Sequence, residues 1–299
     1  MSFSKVLTDI KTLKIQGASS VAREAVKSVE FFLDKKTSKR QLLKDLYNAK
    51  KQLYESRPTE PCMRNALNYV FNFSEDLQLT ELKHHIKERI NYVLNYLRLS
   101  KEAIVDIGHK KIKRGMVVYT HCHSSTVVEV LKKAHFKGIK FKVHNTETRP
   151  LLQGRKTAKE LASAGIPVEH FVDSGMRLAL KHADLVLLGA DAITTEGNVV
   201  NKIGSEIIAL LAREFDIPVY ICTYSWKFDA LSVFGYDEVI EKRQAKEIWK
   251  NPPKGVNINN YAFETIDSNL IKGIITELGV FPPAVMVQII RENYPWIFI

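Results

Sequence analysis

The chain has 299 residues, with 44 Lys and Arg against 33 Asp and Glu, a formal net charge of +11, and a composition that is 45% hydrophobic and 26% charged. Those values exclude a disordered or fibrous chain and fit a globular protein of one large domain or two ordinary ones. No run of about eighteen apolar residues occurs, so no membrane span is expected.

The opening MSFSKVLTDIKTLK lacks the hydrophobic core of a secretory leader. Cys62, Cys122 and Cys222 are too few and too widely spaced for a disulfide framework or a zinc site. A cytoplasmic protein with reduced thiols, no bound metal and no membrane partner is therefore expected. A basic surface suits phosphorylated small molecules, nucleic acid or an acidic protein. Direct RNA or DNA readout is not expected, because no nucleic-acid motif or aromatic-interleaved basic stretch is present.

The first part of the chain reads as helical. Ala22, Val26, Val29 and Phe32–Leu33 fall on one face, as do Leu42–Leu43, Leu46 and Leu53, and again Ile90, Val93–Leu94 and Leu97. Lys35–Arg40 is a loop or a helix start, and Ser56-Arg57-Pro58-Thr59 is a turn. From Lys110 strands alternate with helices. Strands are expected over Met116–Tyr119, Ile139–His144, Val168–Val172, Leu185–Leu188 and Pro218–Thr223. Helices are expected over Thr126–Ala134, Lys156–Ser163, Met176–His182 and Ser205–Phe215. This order predicts an α/β fold with a parallel sheet and right-handed crossovers. The boundary between an N-terminal helical domain, 1–108, and the α/β domain, 109–299, is placed where the pattern changes. No GxGxxG or GxxxxGK[ST] pattern occurs, so no dinucleotide or P-loop cofactor is expected.

Two segments follow apolar strands and carry candidate chemistry. Thr120-His121-Cys122-His123-Ser124-Ser125 follows MVVY, and Gly189-Ala190-Asp191-Ala192-Ile193 follows LVLL. Ligands in open α/β sheets bind at such strand ends. A helix start after Cys122 is expected to lower its thiol pKa. Ser124, Ser125 and Thr126 would cradle a phosphate there. The plainer reading is a small buried Cys followed by helix-capping hydroxyls. Asp191 is either an acid raised by the apolar run before it or a turn cap. Asn201 and Lys202 precede a further helix, and Lys227 comes after the strand segment VYICTYSW. Each suits an anion, though any one lysine alone reads as a surface charge.

THCHSS, NTETRPLLQGRKTAKELASAGIPV, GADAI with NKIGS, and Phe281-Pro282-Pro283 together resemble the initiation-factor-2B-like superfamily. The resemblance runs from about Ile15 to the C-terminus. It implies an N-terminal helical domain, a Rossmann-like parallel-sheet domain and a homo-oligomer built from dimers. The superfamily contains initiation factor 2B regulatory subunits, methylthioribose-1-phosphate isomerase and archaeal ribose-1,5-bisphosphate isomerase. The catalytic Cys and Asp of its isomerases fall on Cys122 and Asp191. THCHS, Ser56-Arg57-Pro58-Thr59 and the YSWKF segment are most similar to the ribose-1,5-bisphosphate isomerase branch.

The resemblance implies a phosphorylated sugar substrate. It places substrate contacts on Gly17, Ala18, Ser19, Arg57, Ser124, Ser125, Thr126, Asn201, Lys202 and Lys227. One position departs from the pattern: Gln16 stands where the isomerases carry Arg, and Lys14 or Arg23 are the nearby cations that could replace that charge. Gln16 and the basic charge favour the competing expectation, a regulatory subunit that contacts initiation factor 2. Cys122 and Asp191 favour an enzyme, with methylthioribose-1-phosphate isomerase as a third reading.

Overall fold

The structure, a computed structural model, describes residues 2–236 and 240–298. Helix formation in the first third follows the apolar periodicity. The helices are α1 (Phe3–Lys11), α2 (Ala18–Leu33), α3 (Lys39–Ser56), α4 (Pro61–Val70) and α5 (Leu79–Gly108). Val26 and Val29 of α2, Leu42, Leu46 and Leu53 of α3, and Ile90, Val93 and Leu97 of α5 are buried. Each such side chain contributes about 1.5–3 kcal/mol by leaving water. The charged stretch Lys35–Arg40 contains the start of α3, where the Ser38 hydroxyl accepts from the Gln41 N–H at 3.3 Å. Pro61 opens α4, where its missing N–H costs nothing. No helix among the described residues is long and apolar enough to cross a membrane.

The α/β part begins with β1 (Val117–Thr120), α6 (Ser125–Phe136), β2 (Lys142–Thr146), α7 (Gln153–Ser163), β3 (Val168–Phe171), α8 (Met176–Leu180) and β4 (Leu185–Leu188). It continues with β5 (Ala192–Ile193), β6 (Val199–Lys202), α9 (Ser205–Glu214) and β7 (Val219–Cys222), and ends with β8 (Phe263–Ile266), β9 (Gly273–Thr276), β10 (Gly279–Phe281) and α10 (Met286–Asn293). Element ends differ from expectation for local reasons. β2 starts at Lys142 rather than Ile139 because the Ile139 N–H closes the end of α6 by bonding the Ala134 carbonyl at 3.2 Å.

Seven strands form one sheet in the order β10-β9-β7-β4-β1-β2-β3, parallel except for the pairing of β9 with β10. The chain builds outward from β1 through β2 and β3, then returns to place β4 on the other side of β1. That reversal is a topological switch point, where the loops leaving two neighbouring strands part and open a crevice. β1 and β4 pair with Val118 opposite Leu185 and Tyr119 opposite Val186. The segments holding Cys122 and Asp191 therefore leave the sheet side by side. A small antiparallel sheet, β5-β6-β8, adjoins this edge. It carries Asn201 and Lys202 at the end of β6, and the Val200 carbonyl of β6 accepts from the Asp191 N–H at 2.8 Å.

Candidate active site

Every catalytic and substrate-contact candidate named from the sequence lines one cavity of about 190 Å³ at this switch point, whereas Lys14 and Arg23, the cations considered as replacements for the missing Arg, do not line it and pair with Asp9 and Glu24. Gly17, Ala18 and Ser19 come from the start of α2, and Arg57 from the α3–α4 turn. Cys122, Ser124, Ser125 and Thr126 come from the β1–α6 connection. Asp191 follows β4, Asn201 and Lys202 end β6, and Lys227 follows β7.

Cys122 is held in an unusual backbone conformation. Its φ is +61°, the left-handed region that costs a non-glycine residue about 1–2 kcal/mol. Two threonines clamp it there. The Cys122 N–H donates to Thr148 Oγ1 at 3.0 Å, and Thr157 Oγ1 donates to the Cys122 carbonyl at 2.7 Å. With its proton used in that bond, Thr157 accepts from His123 Nδ1 at 3.1 Å. Residues held in sparsely populated backbone regions by their neighbours are enriched at functional sites.

The thiol departs from expectation. Its pKa is raised to about 11, first by burial, with Lys202 and the His123 N–H pulling it down and Asp191 pushing it up. The expected helix-start effect is weak because α6 begins three residues later at Ser125, and Ser124 takes the capping position. Cys122 therefore lies outside the first turn, where the helix field is concentrated.

Neither flanking histidine is a free acid or base. His121 Nε2 lies 2.9 Å from the Ile203 carbonyl and must donate to it, so Nδ1 accepts from Thr146 Oγ1 at 2.6 Å. Burial pushes the pKa of His121 down, and that of His123 down to about 4 with Lys156 adding to the effect. Both rings are neutral ties between strand-end loops.

The anion-binding equipment is extensive. The starts of α2, α6 and α7 all reach the cavity, through Gly17 to Ser20, Ser124 to Thr126, and Gln153 with Lys156. α6 is capped by its own Ser124, but α2 and α7 have no side-chain cap. Unpaired N–H groups at helix starts favour phosphate, although in α7 the Gly154 and Arg155 N–H groups already donate to the Glu147 and Leu152 carbonyls at 3.1 and 3.0 Å. Gly17 makes the α2 start possible: its φ is +85°, and its Cα faces open space. Lys202 and Lys227 are buried cations that line the same cavity. Lys202 Nζ rests 4.8 Å from the centroid of the Phe263 ring. Lys227 Nζ donates to the Ala190 carbonyl, next to Asp191. The Lys227 segment is pinned to α4 by Asn65 Nδ2, which donates to the Trp226 and Phe228 carbonyls at 2.9 Å each. Gln16, the departure from the isomerase pattern, also lines the cavity, and its Nε2 donates to the Leu13 carbonyl at 2.7 Å.

Gly189 is fixed by packing. A Cβ there would lie 2.8 Å from both Cβ and Oγ of Ser124. Gly189→Ala is expected to displace Ser124 and cost about 1–3 kcal/mol of stability through overpacking, together with at least a ~10-fold loss of turnover. Thermal unfolding and steady-state kinetics check both. An unshifted midpoint would mean that the strand-end loops separate freely.

Several lining residues carry no signal in the sequence that marks them as site: Glu60, Gln153, Lys156, Arg243 and Phe263. Gln153 lies within the TRPLLQG stretch, and its Oε1 is buried without a hydrogen-bond partner. Arg57 reaches the cavity but is committed to carboxylates: its Nη2 lies 2.6 Å from Glu60 Oε1, and its Nε 3.7 Å from Glu241 Oε2.

This geometry can be set beside that of known proteins. Residues 14–283 match the initiation factor 2 subunit family. The chain belongs to that family. It is 37% identical to the ribose 1,5-bisphosphate isomerase of Pyrococcus furiosus, over 98% of this chain and 94% of that protein. Among solved structures it superposes on the translation initiation factor eIF-2B of Pyrococcus horikoshii OT3 with a TM-score of 0.82 at 27% identity, covering 94% of this chain and 97% of that one. It superposes equally, at 0.82 and 25% identity, on 5-methylthioribose 1-phosphate isomerase from the same organism, covering 98% and 88%. Both isomerase and initiation-factor members of the family thus share this fold.

Proposed function

We propose that the protein is a sugar-phosphate aldose–ketose isomerase that converts ribose 1,5-bisphosphate to ribulose 1,5-bisphosphate. The observation that carries this reading is that Cys122 and Asp191 leave adjacent parallel strands and line one cavity with two buried lysines and three helix starts. A bisphosphate needs two anion sites set around an acid and a base, and this cavity has the groups for both. The isomerase relative at 37% identity supports the substrate.

The substrate dictates the chemistry. A phosphate on the anomeric oxygen prevents spontaneous opening to an aldehyde. Asp191 donates a proton to the ring oxygen, and the bond from that oxygen to C1 breaks. The Cys122 thiolate takes the C2 proton, and the electrons of that bond form a double bond between C1 and C2. Cys122 returns the proton to C1, while Asp191 accepts the proton of the C2 hydroxyl as the ketone forms. The hydrogen moves from C2 to C1, a proton passes from O2 to the former ring oxygen, and the phosphate stays on C1. The decisive assay monitors ribulose 1,5-bisphosphate formation by the purified protein. No product from ribose 1,5-bisphosphate overturns the proposal.

Lys227→Ala is expected to raise KM for the bisphosphate by about 10- to 100-fold, the loss of a charge-assisted contact made throughout the reaction. A smaller fall in kcat is also expected, because Ala190 loses the donor that steadies the Asp191 loop. Kinetics with the bisphosphate and with ribose 1-phosphate separate the roles. Equal weakening of both substrates would show that Lys227 does not read the second phosphate.

A homo-oligomer built from dimers belongs to the same proposal. Leu178 on α8 and Ile207 and Leu210 on α9 are exposed apolar side chains on two helices in contact, the kind of side chain a subunit interface covers. The regulatory reading draws on Gln16 in the cavity wall, and binding of initiation factor 2 by a catalytically silent protein would establish it.

A further inference from the structure

Glu60 stands at the capping position of α4, immediately before Pro61, yet its side chain caps nothing. An acidic residue there ordinarily turns back to the free N–H groups of the first turn. Here the carboxylate turns away to the cavity wall. Its Oε1 accepts from Arg57 Nη2 at 2.6 Å. Its Oε2 is buried and has no hydrogen-bond partner among the described residues. The whole side chain is 1% exposed, and the residue lines the cavity that holds Cys122 and Asp191. Arg57 is restrained from the other side by Glu241, 3.7 Å from its Nε, so the ion pair that fixes Glu60 has little freedom. Leaving a buried carboxylate oxygen unpaired is costly, and such an atom beside a cavity marks a place for a donor from a ligand.

The rest of the wall indicates the type of donor. Lysines and helix N–H groups are all donors, matched to phosphate oxygens. The hydroxyls of a sugar also need acceptors. Asp191 and Glu60 are the carboxylates among the described lining residues, and in the isomerase reading Asp191 is taken up by proton transfer. Resting on that reading, we propose that Glu60 is a substrate-binding residue whose Oε2 accepts a hydrogen bond from a ring hydroxyl of the ribose. This contact makes the site prefer a sugar with that hydroxyl over the deoxy analogue. Burial is the largest influence on the Glu60 carboxyl and raises its pKa to about 7, against the pull of Arg57 and Lys227. A poorly solvated carboxylate gains most from one donated hydroxyl.

The test compares ribose 1,5-bisphosphate with its 2-deoxy and 3-deoxy analogues as competing ligands for the wild-type protein and for Glu60→Gln. Gln keeps an oxygen for Arg57 but replaces Oε2 with an amide group that cannot accept. The wild type is expected to prefer ribose over one analogue by about 10- to 100-fold, the worth of a hydrogen bond to a charged group. In Glu60→Gln that preference should fall to within about 3-fold. Glu60→Asp withdraws the carboxylate by one methylene and keeps the charge, so it should lose the preference too. It serves as the readout if the Gln variant does not fold by circular dichroism. Full preference retained in a folded variant, or no preference in the wild type, overturns the assignment of Glu60 while isomerase turnover stands. A wild type that neither binds nor turns over ribose 1,5-bisphosphate overturns the isomerase reading, and this inference with it.

Discussion

Cys122→Ser is expected to fold as the parent does and to lose at least ~10²-fold in kcat, the low end of what a positioned base contributes. The clamp on residue 122 comes from Thr148 and Thr157 through backbone atoms, so the left-handed turn survives the change. The hydroxyl is a far weaker acid than the thiol, and an alkoxide is out of reach at neutral pH. Near-parental turnover by a folded Ser variant would remove the thiolate from the mechanism. Alkylation gives an independent check. Cys62 and Cys222 are fully buried, and burial raises both thiols to about 12. Cys122 is partly exposed to the cavity and should react first, with bound substrate protecting it.

The pH profile is part of the same prediction. In the proposed mechanism the pair needs a proton on the Asp191 carboxyl and none on the sulfur, whereas burial keeps the sulfur protonated up to about 11. If that proton passes from sulfur to carboxylate, directly or through the bound substrate, the reactive form arises without net exchange with solvent. The fraction in that form then does not change with pH while the pair holds one proton. kcat/KM should therefore be flat from pH 8 to 9, above the range in which the Glu60 carboxyl ionises, and fall only towards 11, where the shared proton is lost. A tenfold rise per pH unit across that window would mean that Cys122 ionises on its own, without Asp191.

The features most legible in the sequence are those set by burial and strand ends. β1 and β4 lie deep in a parallel sheet, so VVYT and LVLL read as continuous apolar runs, and the polar residues just beyond each run stand out as site. The small sheet is not legible. β5 is a two-residue strand, β6 ends in Asn-Lys, and β8 reads FETI, none with a run long enough to show periodicity. Its existence depends on pairing between residues far apart in the chain. Glu60 and Arg243 escape for the same reason: they reach the cavity from turns remote from the strand ends. The direction of the Cys122 shift is opposite to the sequence expectation because a helix start lowers a thiol pKa only from within the first turn. Here enclosure by the fold is the larger effect, and no local sequence pattern reports it.

Asp191→Asn should retain substrate affinity and abolish turnover. The residue is placed by its backbone, through the N–H bond to Val200 and the Lys227 contact on Ala190, and neither depends on its carboxyl. The amide matches the carboxyl in size and can hydrogen-bond to a ring oxygen, so binding of the closed sugar survives. It cannot release the proton that opens the ring, nor take the C2 hydroxyl proton when the ketone forms. Both steps are lost together, and kcat should fall by more than the ~10²- to 10⁴-fold given for a single acid–base role. Substrate titration with the inactive variant gives the affinity, and an overnight assay gives the residual rate. If Asp191 were only a strand-end cap, Asp191→Asn would leave both the unfolding midpoint and kcat near parental, since Asn serves at such turns almost as well as Asp. Lowered kcat at an unchanged midpoint is the outcome that distinguishes an acid from a cap.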